Sequence, residues 1–153
     1  MLTFGDEVII LSQIIVCSAD RQALETRDLR STGEHGMTTR DTIQGYFDSL
    51  KQKGTWDDFL ADDMVFTSFT TPIKRVAGKG AYLEATKRFY SSIKALVIKG
   101  IVVEGDRACV FTRYELQPPG GPVFESHVAE AFEVRDGKIK SFDIYFDSAP
   151  FPK

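Results

Sequence analysis

From Leu96 to Asp147 the chain carries four strand-like runs punctuated by turn residues, and this feature most limits what it can fold into. Leu96 to Glu104, Arg107 to Gln117, Val123 to Val134 and Lys138 to Asp147 are rich in β-branched and aromatic residues. Gly105-Asp106 joins the first two, and Asp136-Gly137, the strongest short hairpin signal in the chain, joins the last two. Pro118-Pro119-Gly120-Gly121-Pro122 makes the loop between the second and third. Consecutive strands joined by short turns pair antiparallel, so this half predicts a meander.

The half before it reads differently. Thr38-Thr39-Arg40-Asp41 offers a capping box, and Ile43, Tyr46, Phe47 and Leu50 repeat at helical spacing up to Gly54, a left-handed cap. Thr55, with Asp58 three residues on, caps a short amphipathic helix whose Trp56, Phe59 and Leu60 share a face. That helix is predicted to stop at Asp62-Asp63 and turn into a strand, Met64 to Thr71, ended by Pro72. Lys74 to Gly78 adds a short partner, and Gly80 to Ile93 forms a third helix with Leu83, Thr86, Phe89, Tyr90 and Ile93 on one side. Helices and one strand followed by a meander mean α+β. The expected architecture is a strongly bent antiparallel sheet with about three helices over its concave face and a pocket between them.

At 153 residues the chain has the length of one domain. Twelve Phe against one Trp suit a sheet packed on helices or a lined cavity. A net charge of -3 and a pI near 5.4 give no basic footprint, which argues against nucleic acid as a partner. Cys17 and Cys109 lie far apart in dissimilar contexts, and His35 and His127 are too few for a zinc site, so neither disulfide nor metal is indicated. A reducing cytoplasm is the default compartment. Val8 to Ala19 is apolar but interrupted by Gln13 and too short to span a bilayer, and the acidic Asp6-Glu7 before it fits a secretory signal badly. Asp20 to Gly36 is charged and lacks an apolar stripe. Residues 1–36 are therefore expected to be an extension to one domain, 37–153.

The element order, with Ile43-Gln44-Gly45-Tyr46-Phe47, Phe59-Leu60-Ala61-Asp62-Asp63, Gly78-Lys79-Gly80 and Asp136-Gly137-Lys138-Ile139, resembles the SnoaL-like branch of the nuclear transport factor 2-like superfamily. The resemblance covers roughly residues 38 to 148. It implies a cone-shaped fold shared by isomerases, dehydratases, hydrolases, polyketide cyclases and noncatalytic binders, and no cofactor. Ketosteroid isomerase is the relative whose carboxylate chemistry is best understood. Its oxyanion tyrosine lies in a Gln-x-Tyr pattern similar to Gln44-Gly45-Tyr46, and its neutral aspartic acid matches Glu130. Its general base falls at Ser68, and a serine cannot unaided take a proton from carbon.

Each candidate residue carries a plain reading beside the chemical one. Glu130 is the one ionisable group among Phe124, Ser126, Val128, Phe132 and Val134 on a strand face; it lines the pocket as a neutral donor, faces solvent at the rim, or is salt-bridged to Arg113. Tyr46 donates to a ligand oxygen or buries its ring in the first helix's apolar stripe. His127, opposite Glu130, is a general base if the facing is inverted, and otherwise lies on the outer face. Ser68 and Thr70 are pocket hydrogen-bonding groups or ordinary strand residues. Phe111, Arg113 and Cys109 share one face and are candidates to reach the pocket, with Phe132 and Phe142 flanking it. Asp62-Asp63 is read as a cap and turn rather than a catalytic pair.

Two functions follow as expectations. The first is a pocket protein binding a small apolar molecule with an oxygen function, where Tyr46 and Glu130 polarise that oxygen in a cofactor-free isomerisation, dehydration or cyclisation. The second is a noncatalytic binding or dimerisation module. A homodimer is expected through the outer sheet face around His127, Ala129, Ala131 and Tyr145, with neither membrane nor nucleic acid as a partner.

Overall fold

The computed structural model describes residues 36–72 and 74–151. Apart from Gly36, the expectations for residues 1–36 fall outside them.

Helix α1, Thr39–Lys51, begins with the capping box read from the sequence. Thr38 Oγ1 accepts from the Asp41 amide at 3.1 Å while the Asp41 carboxylate accepts from the Thr38 amide at 3.3 Å. Its end differs from expectation. The Gly54 amide donates to Ser49 O and the Lys53 amide to Leu50 O, a Schellman pair that puts Lys53, at φ 55°, in the left-handed position assigned to Gly54.

The second predicted helix is a single 3₁₀ turn, Trp56–Phe59, and Thr55 makes no side-chain cap. Its two aromatics anchor it elsewhere. The Trp56 indole stacks on Tyr90 with centroids 4.1 Å apart, and the Phe59 ring lies so close to Gly45 that a Cβ there would stand 2.7 Å from it. Strand β1, Leu60–Ser68, starts at once, so Asp62 and Asp63 sit within the strand where its register shifts between Leu60 and Val65. Both are exposed, and Asp63 pairs with Lys140 at 2.7 Å. They neither cap nor turn. The described residues thus hold two α-helices, not three: α1 and α2, Lys79–Ser92.

The remaining strands are β2, Arg75–Ala77; β3, Ile93–Glu104; β4, Arg107–Leu116; β5, Phe124–Arg135; and β6, Lys138–Phe146. They form one curved, unclosed sheet in the order β2-β1-β6-β5-β4-β3. The β3 to β6 meander is antiparallel throughout, and its last turn places Asp136 and Gly137 at φ 52° and 69°, the left-handed pair that a tight hairpin needs. One junction corrects the all-antiparallel expectation: β6 runs parallel to β1. α2 carries the chain from β2 to the far edge at β3, and three reversals then bring β6 back beside β1 in the same sense.

Burial alternates along β4 and β5, so one face there is core and the other open. α1 lies across β3 to β5, and α2 packs on β1 and β2. The covered face holds two apolar clusters. The larger contains Ile43, Tyr46, Phe47, Met64, Phe66, Val110, Phe132 and Phe142; the smaller contains Tyr114, Leu116 and Val128.

Candidate functional site

A polar line runs between those clusters. On β5, Glu130 stands between Phe132 of the larger cluster and Val128 of the smaller. On β4, Thr112 stands between Val110 and Tyr114 in the same way. Ser68 ends the inward series of β1 after Met64 and Phe66. The strand alternation that puts apolar groups inside carries these polar ones inside with them.

Glu130 is 1% exposed. Its Oε1 accepts from the Tyr114 hydroxyl at 2.7 Å and from the Thr112 hydroxyl at 2.8 Å. Its Oε2 is buried without a hydrogen-bond partner, as are Ser68 Oγ and Ser126 Oγ. Burial raises the carboxyl pKa from 4.5 to about 7, against the two hydroxyl donors, which favour the anion. Because Oε1 already accepts twice, the proton of the neutral acid belongs on Oε2. That atom donates when the acid is neutral and accepts when it is ionised.

A second polar group approaches from the helices. The Tyr46 hydroxyl lies 2.9 Å from that of Tyr90, which also hydrogen-bonds Tyr82. Burial pushes all three hydroxyls, and that of Tyr114, well above their ordinary value, so they stay protonated donors. The charge of Glu130 raises each of them further, which puts the tyrosine chain within electrostatic reach of the carboxyl. Tyr46 also packs edge-on to Phe132 and Phe142, which stack on each other at 4.6 Å. Glu130, Phe132, Phe142 and Ser68 therefore share the covered face, as their alternation predicts, and Tyr46 packs onto it from α1.

Phe111, Arg113 and Cys109 do not. The inward residues of β4 are Ala108, Val110, Thr112, Tyr114 and Leu116, which turns the expected phase by one residue. Phe111 is 48% exposed on the other face, and Arg113 pairs there with Glu125 at 2.8 Å rather than with Glu130. His127, in register with Arg113, is exposed on that same outer face, the second of its two readings. Thr70, Lys99, Phe111, His127, Ala129 and Tyr145 border a shallow groove there.

Thr112, Tyr114 and Tyr82 are the site residues that the sequence reading missed. The signal for the first two was present. Val110 and Leu116 bracket them at period two, whereas Cys109, Phe111, Arg113 and Glu115 mix charge into the alternate series. Tyr82 carries no such mark, since only the fold brings α2 against α1's tyrosine. Among the described residues no three His, Cys, Asp or Glu side chains are grouped to hold a metal ion, and no helix is long and apolar enough to cross a membrane.

This geometry meets known proteins in two ways. Residues 43–142 match the SnoaL-like domain model. No curated protein matches the chain. Solved structures similar to it include a candidate SnoaL-like polyketide cyclase from Mesorhizobium loti, with 20% identity, TM-score 0.61, and 71% of this chain and 99% of that one covered. A nuclear transport factor 2-like protein of unknown function from Cytophaga hutchinsonii gives 19% identity, TM-score 0.60 and coverage of 77% and 97%. TerC, co-crystallised with polyporic acid, gives 15% identity, TM-score 0.63 and coverage of 74% and 94%. At these identities the neighbours speak for the fold, while the domain match spans most of the meander, α2 and all but the first turn of α1: the chain belongs to the SnoaL-like domain family, on a nuclear transport factor 2-like fold.

Proposed function

We propose that this protein binds a small, mostly apolar molecule through one of its oxygens on the covered face of the sheet. Where it acts on that molecule, Glu130 and Tyr46 polarise the oxygen in a cofactor-free isomerisation, dehydration or cyclisation. The observation that carries the reading is the unpartnered Oε2 of Glu130, buried while Oε1 is held by two hydroxyls. A buried polar atom with no partner costs stability, and a ligand oxygen removes that cost. TerC, which shares this fold, was co-crystallised with polyporic acid, and a small-molecule ligand is in keeping with that. Ser68 lies where ketosteroid isomerase keeps its base, so proton transfer at carbon is expected to be slow on simple ketosteroids.

The test is a ketone that can only accept, such as biphenyl with a para acetyl group. It is expected to bind more tightly below pH 7, where Glu130 donates, than above it. Glu130→Gln keeps a donor and largely preserves binding; Glu130→Ala weakens it by about 1–3 kcal/mol, and Tyr46→Phe by about 1 kcal/mol. Titration calorimetry showing the same affinity for wild type and Glu130→Ala sinks the reading.

A second reading, homodimerisation through the outer face, is favoured by one observation. Phe69, Phe111 and Tyr145 are each about half exposed there, and Phe69 and Tyr145 stack at 4.6 Å. Ala129 and Ala131 on β5 leave room for a close second sheet, and a contiguous apolar patch on a monomer calls for cover. Sedimentation at micromolar concentration is expected to give a dimer that Tyr145→Asp dissociates. A wild-type monomer rules this reading out and leaves Glu130 untouched.

A further inference from the structure

The covered face is closed as it stands. Tyr46 and Glu130 are 0% and 1% exposed, so a molecule reaches them only after part of the cover moves. The cover differs between the two clusters. Over the larger one lies α1, whose Ile43, Tyr46 and Phe47 are all fully buried. The smaller one stands where four strands begin or stop: Ile93 opens β3, Leu116 closes β4, Phe124 opens β5 and Phe146 closes β6. At that end Phe89 of α2 and Phe151, which lies beyond β6, pack against the cluster.

These two phenylalanines are held differently. Phe89 is followed by Tyr90, which stacks on Trp56 and hydrogen-bonds Tyr46 and Tyr82, so this part of α2 is tied to α1 and to the 3₁₀ turn. Phe151 rests on the Phe124 and Phe146 rings, with centroids 5.1 and 5.0 Å away. Residues 147–151 lie outside helix and strand, and 147–150 are exposed. Their turn is held from within. The Phe151 amide donates to Ser148 O at 3.2 Å, and the Ala149 amide to Asp147 Oδ1 at 2.9 Å. The segment can therefore lift as a unit with both bonds intact, losing the ring contacts of one partly buried phenylalanine. Segments with so few buried apolar contacts open at the low end of local stabilities.

Beneath Phe151 the smaller cluster leads to the carboxyl. Tyr114, 3% exposed, belongs to that cluster by its ring, and its hydroxyl donates to Glu130 Oε1 at 2.7 Å. We propose that residues 147–151 are a strap over this end of the covered face, and that Phe151 swings off Phe124 and Phe146 to admit a ligand past Tyr114 to Glu130. The ligand is that of the Glu130 reading above, on which this rests. Such a strap sets how fast the site fills and empties rather than how tightly it holds.

Stopped-flow binding of the para-acetyl biphenyl to the full chain tests the strap. Phe151→Ala is expected to raise the association and dissociation rates together by about tenfold, because the closed form loses a ring contact that the open form never had. The Kd should stay within about twofold of wild type, since both rates carry the same factor. Unchanged rates, with binding still weakened by Glu130→Ala, overturn the strap alone. A second readout needs no ligand. In a chain with Cys17 and Cys109 replaced by Ser, a thiol reagent should label Val128→Cys, in the smaller cluster, about tenfold faster when Phe151→Ala is added. Val110→Cys, in the larger cluster, should gain little. Equal gains at the two positions would mean general loosening and overturn the strap, as would no gain at Val128→Cys. Where the ketone does not bind, or its binding ignores Glu130→Ala, the Glu130 reading falls, and the labelling ratio decides by itself whether Phe151 gates the covered face.

Discussion

Between pH 5 and pH 8 the wild-type protein is expected to lose about 2–3 kcal/mol of unfolding free energy that the Glu130→Gln variant keeps. The cause is the pKa of Glu130, raised by burial from 4.5 to about 7. A carboxyl whose pKa is higher in the folded chain binds its proton more tightly there than in the unfolded chain. Its contribution is fully present below the unfolded pKa and is lost as pH rises through the folded one. Above about pH 7 the fold must hold a buried carboxylate whose Oε1 has two hydroxyl donors and whose Oε2 has none. Gln keeps the shape and an acceptor for Tyr114 and Thr112 but cannot ionise, so its stability should vary less over this range. Urea unfolding at the two pH values decides the matter through the difference between variant and wild type, in which the other titrating groups cancel. Parallel pH dependences would mean that Glu130 is not held neutral by its surroundings, and the donor role of Oε2 would fall with that.

Phe132→Ala is expected to destabilise the protein by about 3–5 kcal/mol, the range for removing a large buried aromatic. Phe132 is 3% exposed, stacks on Phe142 at 4.6 Å, and meets Tyr46 and Phe47 edge-on at 6.0 and 5.9 Å. It ties α1 to β5 and β6 one step along the strand face from Glu130. Phe111→Ala, on the outer face, is the control and should cost within about 0.5 kcal/mol in the monomer, as exposed positions do. Equal losses at the two positions by denaturant midpoint would contradict the assignment of faces on β4 and β5.

That assignment was only partly legible in advance. The phase of β5 is legible because its inward series, Ser126, Val128, Glu130, Phe132 and Val134, alternates with a more polar one. The phase of β4 is not legible in the same way, because Phe111 and Cys109 look like core residues, and one residue of phase sends every side chain to the other face. The capping box of α1 and the Asp136-Gly137 turn were legible because each is a contact among neighbours in sequence. The helix expected at Trp56 was not, since its aromatics are claimed by Tyr90 and Gly45 from other elements.

The sequence by itself determined much of the local order: two of its three expected helices, a meander, their turns, and a carboxyl alone on an apolar strand face. Its resemblance to the SnoaL-like family carried the fold as well, because those local signals occur in a recognisable order. Only the tertiary structure decided that β6 lies parallel to β1, that Tyr114 and Thr112 share one oxygen of Glu130, and that Tyr82 and Tyr90 extend the hydroxyl chain of Tyr46. The physical reason is range. Caps and turns are fixed by bonds between residues a few positions apart, whereas a buried carboxyl's partners are set by where distant strands and helices come to rest.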